Sequence, residues 1–401
     1  MTRPLLVVRD DVATTRLAPF GTLRPLGAMP VGLWPIAQRW SAQFPAHALC
    51  LGGVPGHPLM VDDMDPPLAP SRLPAGSIVA ASRAVITAST PMATDASVWT
   101  VHGRIAAVTL ERETDPSTLD DAALAAAAAG RPTVELTGAW VDRAWDLLSL
   151  TERYLVDDLS TACAGADGAR DGRVTILGSH PVRIDPSASL EPFVVIDATR
   201  GPVWIDAEVS VLAFSRLAGP LYLGRGTQMA GGRIGASMIG PQCRVAGEIV
   251  GSVLSGYVNK AHDGFVGHSV IAPWVNLGAG TTTSNLKNSY GTVRSWTPEG
   301  VIDTGRQFLG ALIGDHAKLG IGTMLSTGSV IGVGANVFGT RRPPTMVPAF
   351  AWGDAEPFAT VRRAEFLTVA SRVMQRRGPA PSPAQLEALA SVHAALTRDP
   401  R

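Results

Sequence analysis

The chain has 401 residues, and its 34 Lys+Arg are matched by 34 Asp+Glu, for a formal net charge of zero. That balance excludes a sequence-wide basic surface for nucleic acid or anionic lipid, while leaving room for a local phosphate site. With 42 glycines, 31 prolines and 46% hydrophobic residues, the composition argues against disorder and for many short strands and turns.

The N-terminus, MTRPLLVVRDD, has only a short apolar run before two acids, so it does not read as a signal peptide. Residues 4–9 read as a buried strand, followed by a stretch too rich in Pro and Gly for a helix. VGLWPIAQRWSAQF predicts a helix with Pro35 near its start. Residues 76–87 read as a strand pair and HGRIAAVTL as another strand. TLDDAALAAAAAG predicts a capped helix ending at Gly130. GAWVDRAWDLLSLTERYLVDDLS reads as helical, with Trp140, Trp145, Leu148 and Leu155 on one face. Strands alternating with helices predict an α/β domain over residues 1–168. Three widely spaced cysteines, Cys50, Cys163 and Cys243, exclude a disulfide framework and a Cys-based zinc site, and they fit a reducing cytoplasm. No apolar stretch of about 18 residues is present, so no membrane helix is expected.

From about residue 169 an apolar residue recurs every six positions. Ile184, Leu190 and Ile196 begin the series. Ile205, Val211, Leu217, Leu223 and Met229 follow in register, then Ile239 and Val245, and Ile271 and Leu277. Ile313, Leu319, Leu325, Ile331 and Val337 close it. Period six fits a solenoid in which one apolar residue per hexapeptide points into a triangular prism and three hexapeptides make a coil. This predicts a β-helix over 169–350, interrupted by an extruded loop at 286–308. The amphipathic segments AEFLTVASRVMQRRG and PSPAQLEALASVHAALTR predict a helical tail over 351–401 that covers the open end.

The hexapeptides resemble the left-handed parallel β-helix of bacterial acyltransferases, and NKAHDGFVGHSVIAPWVNLGAGTTTSN resembles the acetyltransferase half of the GlmU-like family. NLKNSYG, GDHAKLGIGTM and TGSVIGVGANVFG extend the likeness. The resemblance implies a nucleotidyltransferase-like, Rossmann-like α/β domain ahead of the β-helix. It implies acyl transfer, with acetyl-CoA as co-substrate, to an amino-sugar phosphate or nucleotide, in a cytoplasmic homotrimer. His262 matches the family's general base, since imidazole titrates near neutrality. Lys260, Asn276 and Asn285 match substrate-binding positions, Arg183 matches a phosphate-holding arginine, and Ala279 lies where the acyl-CoA thioester approaches.

One departure is Phe265, where the family carries a tyrosine. A metal site on His262 and His268 stays open but is a weak reading, since no third ligand stands nearby in the sequence. In the first domain, Arg16 of TTRLAP occupies the nucleotide-phosphate position, with Arg24 assisting. Nucleotidyl transfer there would use a nucleoside triphosphate and Mg²⁺, but the glycines before Arg16 and the family's later lysine are absent. Two alternatives stay open: nucleotidyl transfer with the β-helix as scaffold, and a non-catalytic sugar-nucleotide-binding protein.

Overall fold

The computed structural model describes residues 3–397, apart from 55–56, 58, 64, 88–95, 167–171 and 379. The expected boundary between residues 168 and 169 lies outside the described residues. Near the N-terminus six strands form one mixed sheet, in the spatial order Ala48–Gly52, Leu5–Arg9, Ile78–Ala81, Arg104–Thr109, Val98–Val101 and Thr133–Glu135. Leu5–Arg9 is parallel to both neighbours, and its run LLVVR is almost wholly buried, as a strand covered on two faces must be. The first helix, α1 (Ile36–Gln43), is shorter than the sequence suggests. Pro30–Val31 and Trp34–Pro35 instead pair as a tight antiparallel ribbon ahead of it. α2 (Asp121–Ala128) is capped by Asp120, which accepts from the Ala123 N–H at 2.7 Å, and it stops before Gly130, whose φ is +70°.

The segment read as one long helix divides. Gly138–Trp140 is a strand paired with Ala84–Ile86, and only Asp146–Ala162 is helical (α3). Two features drive the change. Gly138 lies so close to Val85 that a Cβ there would fall 2.6 Å from the Val85 carbonyl oxygen. The Asp146 carboxylate accepts from the N–H groups of Asp142 and Arg143, turning the chain into α3 one strand later than expected. Trp140 therefore leaves the face shared by Trp145, Leu148 and Leu155.

Residues 174–352 wind into a parallel β-solenoid of about 10 coils. The predicted hexapeptide residues from Ile196 to Val337 fill one continuous core, with Ile184 and Leu190 packed at its edge. Three outward faces have different characters. On the first, Trp204, Tyr222, Met238, Val253, Val270, Leu312 and Val330 stack in register as an apolar stripe. The N-terminal sheet and α3 bury this stripe within their own core. On the second, Arg244, Asn259, Asn276, Lys318 and Asn336 form a polar ladder. On the third, Arg216, Arg233, Glu248 and Phe265 follow one another.

The 286–308 excursion contains a hairpin, Arg294–Thr297 with Gly300–Asp303. Arg306, beyond it, reaches Ser149 and Glu152 of α3. The tail forms α4 (Arg363–Gln375) and α5 (Pro383–Leu396), the latter started by a Ser382–Gln385 capping box. Both helices pack on Val333 and Phe350 of the last coils and reach back to Leu23 and Met60. No helix among the described residues is long and apolar enough to cross a membrane.

Candidate active site

The turn after the Asn259–Lys260 strand carries His262 to the corner between the second and third faces. The Asn259–Lys260 strand is held from inside the prism. Register places Lys260 above Val245, in the apolar column, and the side chain is 1% exposed. Its ammonium donates to the Ala246 carbonyl at 3.0 Å and to the His262 carbonyl. Burial pulls Lys260 down to about 8, against a smaller opposing effect of Asp263. A lysine in an apolar column is costly unless its N–H groups are satisfied, and here the two carbonyls that satisfy it fix the backbone of the His262 turn.

The His262 imidazole is exposed and makes no hydrogen bond within the chain among the described residues. It opens on a cavity of about 490 Å³. Asn276 and Asn259 form one wall, the Asn259 amide donating to Asn276 Oδ1 at 2.8 Å. Tyr257 and Trp274, stacked at 4.1 Å between centroids, form another. Lys318 lies directly beyond Asn276 in the ladder, and the outer side is closed by Val369 and Val373 of α4 with Arg376 and Arg377 just past its end. The Lys318 ammonium donates to the Trp274 carbonyl at 2.6 Å, and burial lowers it to about 7.

Of the residues matched in the sequence, the structure brings His262 and Asn276 together on this cavity, with Lys260 beneath them. Asn285 lies elsewhere. Its amide meets His268 Nδ1 at 2.8 Å, and His268 lines a separate cavity of about 460 Å³ between α3 and the solenoid. Burial holds the His268 imidazole below its usual range. Ala279 is half-buried at a corner, its carbonyl accepting from the Gly322 N–H at 2.8 Å. Arg183 sits on the first face, several coils before His262, donating to the Ala162 carbonyl at 2.9 Å and lying 4.5 Å over the Trp204 ring.

Arg16 is exposed on a 3₁₀ turn, 3.5 Å from Glu299 of the hairpin. Arg24 is buried, and its three nitrogens face Asp315 at 2.5 Å, Asp62 at 3.0 Å and Asp65 at 3.0 Å. Those carboxylates are thus engaged by a guanidinium. Among the described residues no group of three or more His, Cys, Asp or Glu could hold a metal ion. Tyr257, Trp274, Lys318, Arg376 and Arg377 were not singled out in the sequence. The coil spacing of about 18 residues would have stacked Lys318 on Asn276 once the 286–308 excursion was removed.

Hexapeptide coils wound into a parallel β-solenoid place the chain among transferases of the hexapeptide-repeat class. No protein-family profile matches the sequence. Residues of this chain are 37% identical over 91 positions to a bifunctional sugar-1-phosphate nucleotidylyltransferase/acetyltransferase of Sulfurisphaera tokodaii, a match spanning 23% of either chain. They are 30% identical over 169 positions to the uncharacterized acetyltransferase YaiX of Escherichia coli K12, covering 38% of this chain and 70% of YaiX. The chain belongs to this GlmU-like family of left-handed β-helix acyltransferases. Among solved structures, a hexapeptide transferase family protein from Anaplasma phagocytophilum aligns at 14% identity over 56% of this chain and 95% of its own, with a TM-score of 0.19. A UDP-N-acetylglucosamine acyltransferase aligns at 14% identity over 52% and 85%, with a TM-score of 0.17.

Proposed function

We propose that the chain transfers an acyl group, most simply acetyl, from acyl-CoA to the amine of an amino-sugar phosphate or sugar nucleotide, in the cavity under His262. The observation that carries this reading is an unencumbered imidazole on a 490 Å³ cavity that the Asn259–Asn276 pair also lines. The acceptor amine attacks the thioester carbonyl, forming the C–N bond. His262 takes the proton the amine releases and returns it to the departing CoA thiolate as the C–S bond breaks. Asn276 presents an amide to sugar hydroxyls, and Lys260 positions His262 through its backbone. Phe265 supplies no phenol, so any phosphate of the acceptor is held by other groups.

The reading includes a cytoplasmic homotrimer, with the third, charged face available for self-association. Nucleotidyl transfer in the N-terminal region draws no support from Arg16 or Arg24, whose partners are carboxylates. The test is turnover of acetyl-CoA with glucosamine 1-phosphate by the whole chain and by His262→Ala. Loss of a general base is expected to slow the reaction by about 10²- to 10⁴-fold with the oligomer intact. Full activity in that variant would end the assignment of His262.

A further inference from the structure

The cavity under His262 is walled by cations without counter-ions. Among the described residues none of Lys318, Arg376 and Arg377 has a carboxylate partner, and no Asp or Glu lines the cavity. Lys318 spends one donor on the Trp274 carbonyl. Arg377 spends donors on the Gln242 carbonyl at 2.6 Å and on Asn259 Oδ1 at 3.3 Å, both neutral. Arg377 is pulled below the ordinary guanidinium range by burial, then by Arg244, with Arg376 adding to the repulsion. Asp62 and Asp65, behind Trp274, are already engaged by Arg24. Asp263, beside His262, is exposed.

Gathering uncompensated like charges around a partly desolvated space costs free energy, and an anion in that space offsets it. Guanidinium groups at a cavity rim match phosphate oxygens in pairs, and a lysine supplies a point charge at the floor. The location is also informative. Two of the three cations directly follow the C-terminal end of α4, outside the β-helix, so the tail is part of the site.

We infer that this cavity is a phosphate subsite, with Lys318 at its floor and Arg376 and Arg377 at its rim, and that α4 is the wall that completes it. The inference rests on the acyl-transfer reading only for which phosphate enters: that of a sugar phosphate acceptor, or those of coenzyme A. Arg183, on another face of the prism, plays no part in it.

Calorimetric titration of the whole chain tests this with four probes: glucosamine 1-phosphate, glucosamine, coenzyme A and inorganic pyrophosphate. Wild type is compared with Lys318→Met and with Arg376→Ala, which lies on an exposed side chain and leaves folding undisturbed. Affinity for at least one phosphate-bearing probe is expected to fall tenfold or more in both variants, while glucosamine binding, where it is measurable, holds. A fall confined to glucosamine 1-phosphate assigns the subsite to the acceptor, and one confined to coenzyme A assigns it to the donor. Wild type that binds no phosphate-bearing probe, or variants that are folded and bind all of them as wild type does, overturns the inference. Failure of the acyl-transfer reading looks different: the wild-type chain turns over no acetyl-CoA with glucosamine 1-phosphate while phosphate binding still depends on Lys318.

Discussion

Two lysines show how burial decides what an ammonium does. Lys260 lies inside the prism and Lys318 on the cavity floor, and burial lowers them to about 8 and about 7 from an ordinary 10.5. Below those lowered values folded and unfolded chains both hold the proton, and the folded chain carries the full cost of a desolvated cation. Between them and 10.5 the unfolded chain binds more protons, so stability rises with pH through that window. The groups facing Lys318 do not relieve it: His262, Arg376 and Arg377 line the same cavity, and buried His316 is itself held well below its usual range. Lys318→Met should therefore exceed wild type in stability near pH 7, with the gap closing as pH approaches 10.5. Urea midpoints across that range check it, and a gap that does not change with pH would refute the burial argument. His262 and Asn276 were legible in the sequence because their motif is local. Lys318 was not, because the 286–308 excursion hides the coil spacing that stacks it on Asn276. Nor could the sequence show that the Asn285 amide is taken up by His268 on another face.

At the level of elements, the hexapeptide run was legible because one buried residue every six positions is required by a three-sided prism, whatever lies outside it. The outward faces were harder to read, since their partners are distant in sequence. The tail helices were visible from their amphipathic pattern, but not the way α4 lies along the asparagine ladder. That placement is set by Phe366, 5% exposed and packed edge-on against Phe350 at 4.9 Å, with His316 and His393 around it. Phe366→Ala should cost about 3–5 kcal/mol by emptying that site. Because Arg376 and Arg377 directly follow α4, the same change should weaken pyrophosphate binding more than it weakens glucosamine binding. Denaturation curves read together with the titrations separate this from a purely local cavity, which would lower stability and leave pyrophosphate affinity unchanged.

Across the whole molecule, the N-terminal region and the solenoid share a core, and one buried charge cluster pins them together. Arg24, Asp62 and Asp65 come from the N-terminal region, while Asp315 comes from a solenoid coil. Trp274 Nε1 donates to Asp62 Oδ2 at 3.0 Å, which ties the cluster to a wall of the His262 cavity. One guanidinium faces three carboxylates, and Asp65 and Asp315 are pushed above the usual carboxylate range by burial, which Arg24 partly offsets and to which Asp62 adds a smaller repulsion. Arg24→Met keeps much of the volume but leaves the carboxylates without a counter-ion, so the expected loss is about 3–5 kcal/mol near neutral pH. With Arg24 gone, the folded-state carboxyl values rise further above the unfolded ones, and the folded chain binds more protons as pH falls. The deficit should therefore shrink on acidification from neutral pH, as the buried carboxyl groups take up protons. Urea unfolding of wild type and Arg24→Met across the acidic range measures that slope. A deficit that holds constant as pH falls would mean that the arginine acts through packing, and that the charge cluster does not join the two halves.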